Sequence, residues 1–170
     1  MYYRNEEHHP EHRIFAMVLY VVASLSAVFQ FFPPTIILGL ILLVLANFMN
    51  KVFKATAKET IYITHAEWIG RTLYVGTFFL FPLSLAAAAY LIWTTTDVSS
   101  FKATIAKSDA DDPSVAMSII NSYMVRDMPA VAHICTVTLA PPVFWWVRRC
   151  LVGYRRAQES EPIDYPEGLL

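Results

Sequence analysis

Residues 14–50 read IFAMVLYVVASLSAVFQFFPPTIILGLILLVLANFMN, a stretch without one Asp, Glu, Lys or Arg. As a single helix it would be roughly 55 Å long, nearly twice the hydrocarbon core of a bilayer at about 30 Å. Near its middle stand Pro33 and Pro34. Two successive prolines remove amide donors and push the preceding residue out of the helical region. The stretch therefore predicts two membrane helices, 14–32 and 35–53, folded into a tight hairpin. Gly39 lets the two backbones approach closely.

The rest of the composition agrees. Of 170 residues, 56% are hydrophobic and only 16% charged, against about 25% charged in a soluble domain. Net charge is −1, and no Lys/Arg block is dense enough for nucleic acid, so the expected surroundings are the lipid bilayer. Cys135 and Cys150 have neither Cys-x-x-Cys spacing nor a disulfide framework and read as small buried hydrophobes. The polar N-terminus lacks the pattern of a cleavable signal, so the first apolar segment is expected to remain as a span.

Residues 1–13 form a polar arm with His8, His9 and His12 beside Glu7 and Glu11, expected to be mobile. It could hold a divalent metal weakly or be a solvated charged arm, and Pro10 disturbs the helical spacing of His8 and His12. Lys51, Lys54 and Lys58 mark the exit of the second helix, followed by an interfacial connector to Ile63. A third span is predicted over 67–95, with Trp68 and Trp93 near its ends and a bend at Pro82. Residues 96–128 are the sizeable polar segment, with a short surface helix from Ser114. A fourth span covers 129–151, kinked or divided by Pro141-Pro142. Residues 152–170 form a basic, then acidic tail that leaves the membrane and stays out of it.

The expected fold is thus an all-α membrane protein with four transmembrane helices. Of the thirteen Lys/Arg, Lys102, Lys107 and Arg126 fall on the side of the 96–128 segment and the other ten on the opposite side. The positive-inside rule places both termini in the cytoplasm.

The densest polar chemistry lies between Thr64 and Gly76. Thr64-x-x-Glu67 before an apolar run has the form of a capping box, and Glu67 precedes Arg71 by four residues, the favoured order for a helical ion pair. His65, Trp68 and Thr72 share one helical face by their spacing. The cluster Thr64, His65, Glu67, Trp68, Arg71 and Thr72 reads either as an interfacial anchor with a cap or as a gate or proton-handling group.

His133 is the ionisable side chain inside a predicted span, about a turn from its outer end, where it is within reach of interfacial water or Asp127. It reads as a satisfied structural histidine or as a functional group. Gln30 and Asn47 are expected as interhelical hydrogen-bond partners. His65 and His133, separated by most of a span, cannot share one ion or haem. No nucleophilic serine motif, phosphate-binding glycine loop or zinc-protease motif is present, so neither enzymatic activity nor a cofactor is expected.

The stretch Thr64-His65-x-x-Trp68-x-x-Arg71-Thr72-x-x-x-Gly76 resembles a group of small bacterial inner-membrane proteins of the Tic20-like superfamily. There a Ser/Thr-His-x-x-Trp-x-x-Arg-Thr segment opens the third membrane helix. The ending Gly153-Tyr154-Arg155-Arg156 through Glu161-Pro162-Ile163 is similar to the basic exit and short Pro-containing tail of that group. The resemblance implies a helical bundle in a bacterial inner membrane and no known activity. The 94–128 segment and the Pro-Pro pair of the fourth helix depart from the pattern. The leading functional expectation is a non-catalytic accessory or scaffold subunit that contacts other membrane subunits or itself. The alternative is a small oligomeric transporter or channel component.

Overall fold

A computed structural model of the chain describes residues 10–31, 33–57, 59–96, 103–104, 106 and 113–164. Among these no strand occurs. The elements are α1 (Pro10–Phe31), a 3₁₀ turn (Pro33–Thr35), α2 (Ile36–Thr56), α3 (Thr60–Val75), a π-helical turn (Gly76–Leu80), α4 (Phe81–Thr95) and α5 (Pro113–Gln158). Four helical stretches are long and apolar enough to cross a membrane: Pro10–Phe31, Ile36–Thr56, Thr60–Thr95 and Val125–Gln158. The chain is read here as a multi-pass membrane protein.

The hairpin forms as the prolines dictate. Pro33-Pro34 cannot continue α1, and the 3₁₀ turn they begin ends at Thr35, whose hydroxyl donates to the Phe29 carbonyl at 2.8 Å. That bond satisfies an acceptor left open at the end of α1. At Gly39 the two helices nearly touch, since a Cβ there would lie 2.7 Å from the Gln30 backbone nitrogen.

α1 starts earlier than the sequence suggested. Pro10 to Arg13 belong to its first turn rather than to a free arm. Proline suits that position because its missing amide would be an orphan in any case. His12 Nδ1 stands 3.5 Å from Glu59, and its ring meets Tyr62 and Phe53 edge-on at 5.6 and 6.4 Å. His8 and His9 lie outside the described residues.

α3 also begins earlier, at Thr60 instead of Glu67. Ile61 and Tyr62 are buried, so packing extends the helix toward α2 and leaves little room for a connector. The third stretch is then helical throughout, with a π turn at Gly76–Leu80 immediately before Phe81-Pro82. Pro82 lacks an amide for the carbonyl four residues back and its ring crowds that carbonyl. Widening the preceding turn relieves the crowding.

Ser114 to Met128 is not a separate surface helix. It is the first part of the 46-residue α5, which also runs unbroken through Pro129 and Pro141-Pro142 and on to Gln158. The helix is therefore not divided at the Pro-Pro pair, although those prolines leave the Val137 and Thr138 carbonyls without their usual donors.

The chain comprises two compact units, one of residues 1–80 with 142–170 and one of residues 81–141. The first holds the buried core. Ala16, Leu19, Tyr20 and Ala23 of α1, Ala46 and Phe53 of α2, Ile61, Tyr62, Ile69 and Leu73 of α3, and Trp146 and Cys150 of α5 pack together there. In the second, α4 turns large apolar side chains outward, among them Leu83, Leu85, Tyr90 and Trp93.

Candidate functional site

Helical phase builds the site. On α3, His65, Trp68 and Thr72 fall on one face together with Ile61 and Ile69, and all five are buried. On the last part of α5, Trp146, Arg149, Cys150, Gly153 and Ala157 follow a spacing of three and four residues and are likewise buried. The two faces meet around one cation.

Arg149 is 1% exposed. Its guanidinium carbon sits over the Trp68 ring, 3.6 Å from the centroid, with the Trp145 ring at 5.2 Å. Arg149 Nε donates to Thr72 Oγ1 at 3.0 Å. The Thr72 hydroxyl hydrogen is directed elsewhere, to the Trp68 carbonyl at 2.7 Å, which leaves its lone pair free to accept. In return the Trp68 indole N–H donates to the Arg149 carbonyl at 3.1 Å. Arginine suits such a site better than lysine, because its planar, weakly hydrated cation stacks on an aromatic face while its edge donates hydrogen bonds.

One turn before Trp68, His65 is fully buried. Its Nε2 is 2.9 Å from the Glu161 carbonyl, an atom that only accepts, so Nε2 carries a hydrogen. Nδ1, 2.9 Å from Tyr20 Oη, then accepts the phenolic hydrogen in the neutral imidazole. Tyr20 reaches this position by lying against Gly153, where any Cβ would collide with its ring. Gly76 is comparable, with the Trp146 ring occupying the place of a side chain.

The tail closes the site. α5 ends with Ser160 in the left-handed region, φ 54°. The Ser160 amide bonds the Ala157 carbonyl at 3.2 Å and the Glu161 amide the Arg156 carbonyl at 2.8 Å. This is a Schellman turn carrying serine where glycine is usual. It sends residues 161–164 back along the bundle end, where Ile163 is 5% exposed. The Ile163 amide donates to Thr64 Oγ1 at 3.1 Å, and Arg156 holds the Pro162 carbonyl and Asp164 at 2.9 and 2.6 Å. α5 extends to Gln158, past the expected end of the span at residue 151, and the described part of the tail folds onto α3.

Of the six residues singled out between Thr64 and Thr72, the structure brings together His65, Trp68 and Thr72, with Thr64 at the edge under the tail. The capping box does not form. Thr64 is inside the helix and donates to the Ile61 carbonyl at 2.6 Å, while the N-cap is Glu59. Glu67 does not pair with Arg71 but stands 3.6 Å from Lys54 of α2. That pair is exposed and contributes little to stability. Arg71 is exposed. The Trp68 ring is buried in the core.

The Asn47 amide donates to the Leu43 carbonyl of its own helix at 2.9 Å. Gln30 packs against Gly39, and its Nε2 is buried without a hydrogen-bond partner among the described residues. His133 is exposed on α5 in the second unit, and Asp127 is engaged by Arg126 through two bonds of 2.9 and 3.1 Å. No group of three or more potential metal ligands occurs among the described residues.

Sequence reasoning overlooked Arg149, Tyr20 and the Glu161–Ile163 segment. Beside Arg148, Arg155 and Arg156 the sequence gives Arg149 the look of a basic helix exit, although its spacing from Trp146, Cys150, Gly153 and Ala157 places it on the apolar face of the helix. Chemically, the cluster engages both ring nitrogens of His65 and stacks the cation of Arg149 on an aromatic ring. It ties α1, α3, α5 and the tail into one end of the first unit. Comparison with known families, curated proteins and solved structures finds no match to this chain.

Proposed function

We propose that this protein is a non-catalytic accessory or scaffold subunit of a larger assembly in a bacterial inner membrane, with both termini in the cytoplasm. The observation that carries the reading is the use made of the polar groups in the first unit. His65, Trp68, Thr72, Tyr20 and Arg149 bind one another inside the chain, so they serve architecture and are withdrawn from chemistry on a substrate. The outward apolar side chains of α4 and the exposed intramembrane His133 supply surface for lipid and for neighbouring subunits or a second copy.

The orientation rests on the excess of Lys/Arg on one side. It gains support from the grouping of three segments at one end of the first unit. There His12 meets Glu59 and Ile163 meets Thr64, so the start of α1, the α2–α3 connection and the tail lie together. Kinship with the Tic20-like superfamily is part of this proposal and rests on the residues between Thr64 and Gly76. Extraction in a mild detergent should yield the chain with a stoichiometric membrane partner. A bare monomer under those conditions overturns the accessory role.

A small transporter or channel component is the second reading, and one observation favours it. π-helical turns are frequent at functional sites, and the turn at Gly76–Leu80 holds Thr77 with its hydroxyl buried and without a hydrogen-bond partner among the described residues. Reconstitution into liposomes tests this: flux of ions, protons or small solutes that is lost in Thr77→Val supports it, and absence of flux rejects it.

A further inference from the structure

The tail occupies a groove with the chemistry of a peptide-recognition site. His65 Nε2 donates to the carbonyl of Glu161, and two residues further on the amide of Ile163 donates to Thr64 Oγ1. The Ile163 side chain is buried in the core cluster. This alternation of main-chain hydrogen bonds with a side-chain pocket is how extended peptides are read.

Three features make the seated segment exchangeable. It inserts one buried side chain. Its ion pair, Arg156 with Asp164, is largely exposed. Its hinge is short and strained, two residues past the helix, with non-glycine Ser160 at φ 54°. Short hinges under strain favour exchange of an element between identical chains, because the swapped state keeps every contact and relaxes the hinge. Copies inserted in the same orientation carry groove and tail on the same side of the membrane, so a neighbour presents its tail at the right level.

We propose that the groove formed by Thr64, His65 and the Ile163 pocket accepts the Ser160–Asp164 segment of a second copy of this chain, and that two copies thereby associate by reciprocal exchange of tails. This is independent of the accessory role, since it concerns self-association alone.

Two measurements on the full chain in membranes decide it. In the first, Thr64→Cys and Ile163→Cys are placed on separately tagged chains, each also carrying Cys135→Ser, and the two are expressed together. Mild oxidation should give a covalent heterodimer. Closure only within a chain carrying both substitutions, or no cross-link in either arrangement, overturns the exchange. The second introduces no cysteine. A tagged copy ending at Gln158 should capture the untagged full-length chain, and Ile163→Asp in the full-length chain should reduce capture at least tenfold. Absent capture, or capture indifferent to Ile163, also overturns it. The exchange stands only if both experiments give the expected result.

Discussion

At the scale of single residues, Arg149 carries the greatest consequence. A cation at 1% exposure survives burial because Trp68 stacks on it and Thr72 accepts from it. Desolvated cation–π contacts contribute about 2 kcal/mol and hydrogen bonds from charged groups about 1.5–3 kcal/mol. Arg149→Ala should therefore destabilise the protein by about 2–4 kcal/mol in thermal unfolding followed by tryptophan fluorescence. Arg149→Lys should recover less than half of that, because an ammonium loses the planar stack. An alanine variant as stable as the parent would mean that the stack contributes nothing. A different constraint operates at Gly76, where Trp146 fills the side-chain position. Gly76→Ala should cost about 1–3 kcal/mol by overpacking, measurable in the same assay.

At the scale of elements, the tail is held close to balance. Full burial of Ile163 contributes about 2 kcal/mol, and the bonds from His65, to Thr64 and from Arg156 about 1 kcal/mol each. Ordering the five residues 160–164 costs about 1–1.5 kcal/mol apiece, which leaves a net near zero. Hydrogen exchange should therefore show the Ile163 amide opening with little protection, while the amides of Trp68 to Leu73 on α3 exchange far more slowly. Equal protection in the two segments would show that the tail is a fixed part of the core.

The elements also show where sequence reading succeeds. Charge-free length and Pro33-Pro34 make the α1–α2 hairpin legible, because both signals are local. The starts of α1 and α3 are not, because side chains distant in sequence, such as Glu59 beside His12, decide how far each helix extends. Thr64 and Glu67 have the letters of a capping box but sit past the helix start, where Thr64 serves the tail 99 residues away. The phase of Arg149 was readable. Its neighbours Arg148, Arg155 and Arg156 make the residue look like part of a basic helix exit.

At the scale of the whole molecule, the proposed four-span topology puts Glu11 and Glu159 on one side of the bilayer and Ser118, near the start of α5, on the other. The most direct test is cysteine accessibility in sealed, right-side-out vesicles of a Cys135→Ser background, which keeps only the buried Cys150, with one cysteine added in place of Glu11, Ser118 or Glu159. A membrane-impermeant maleimide should label the Ser118 site from outside, and the Glu11 and Glu159 sites only after the vesicles are opened. Labelling of Glu11 and Glu159 from opposite sides, or of all three from the same side, would contradict a four-span chain.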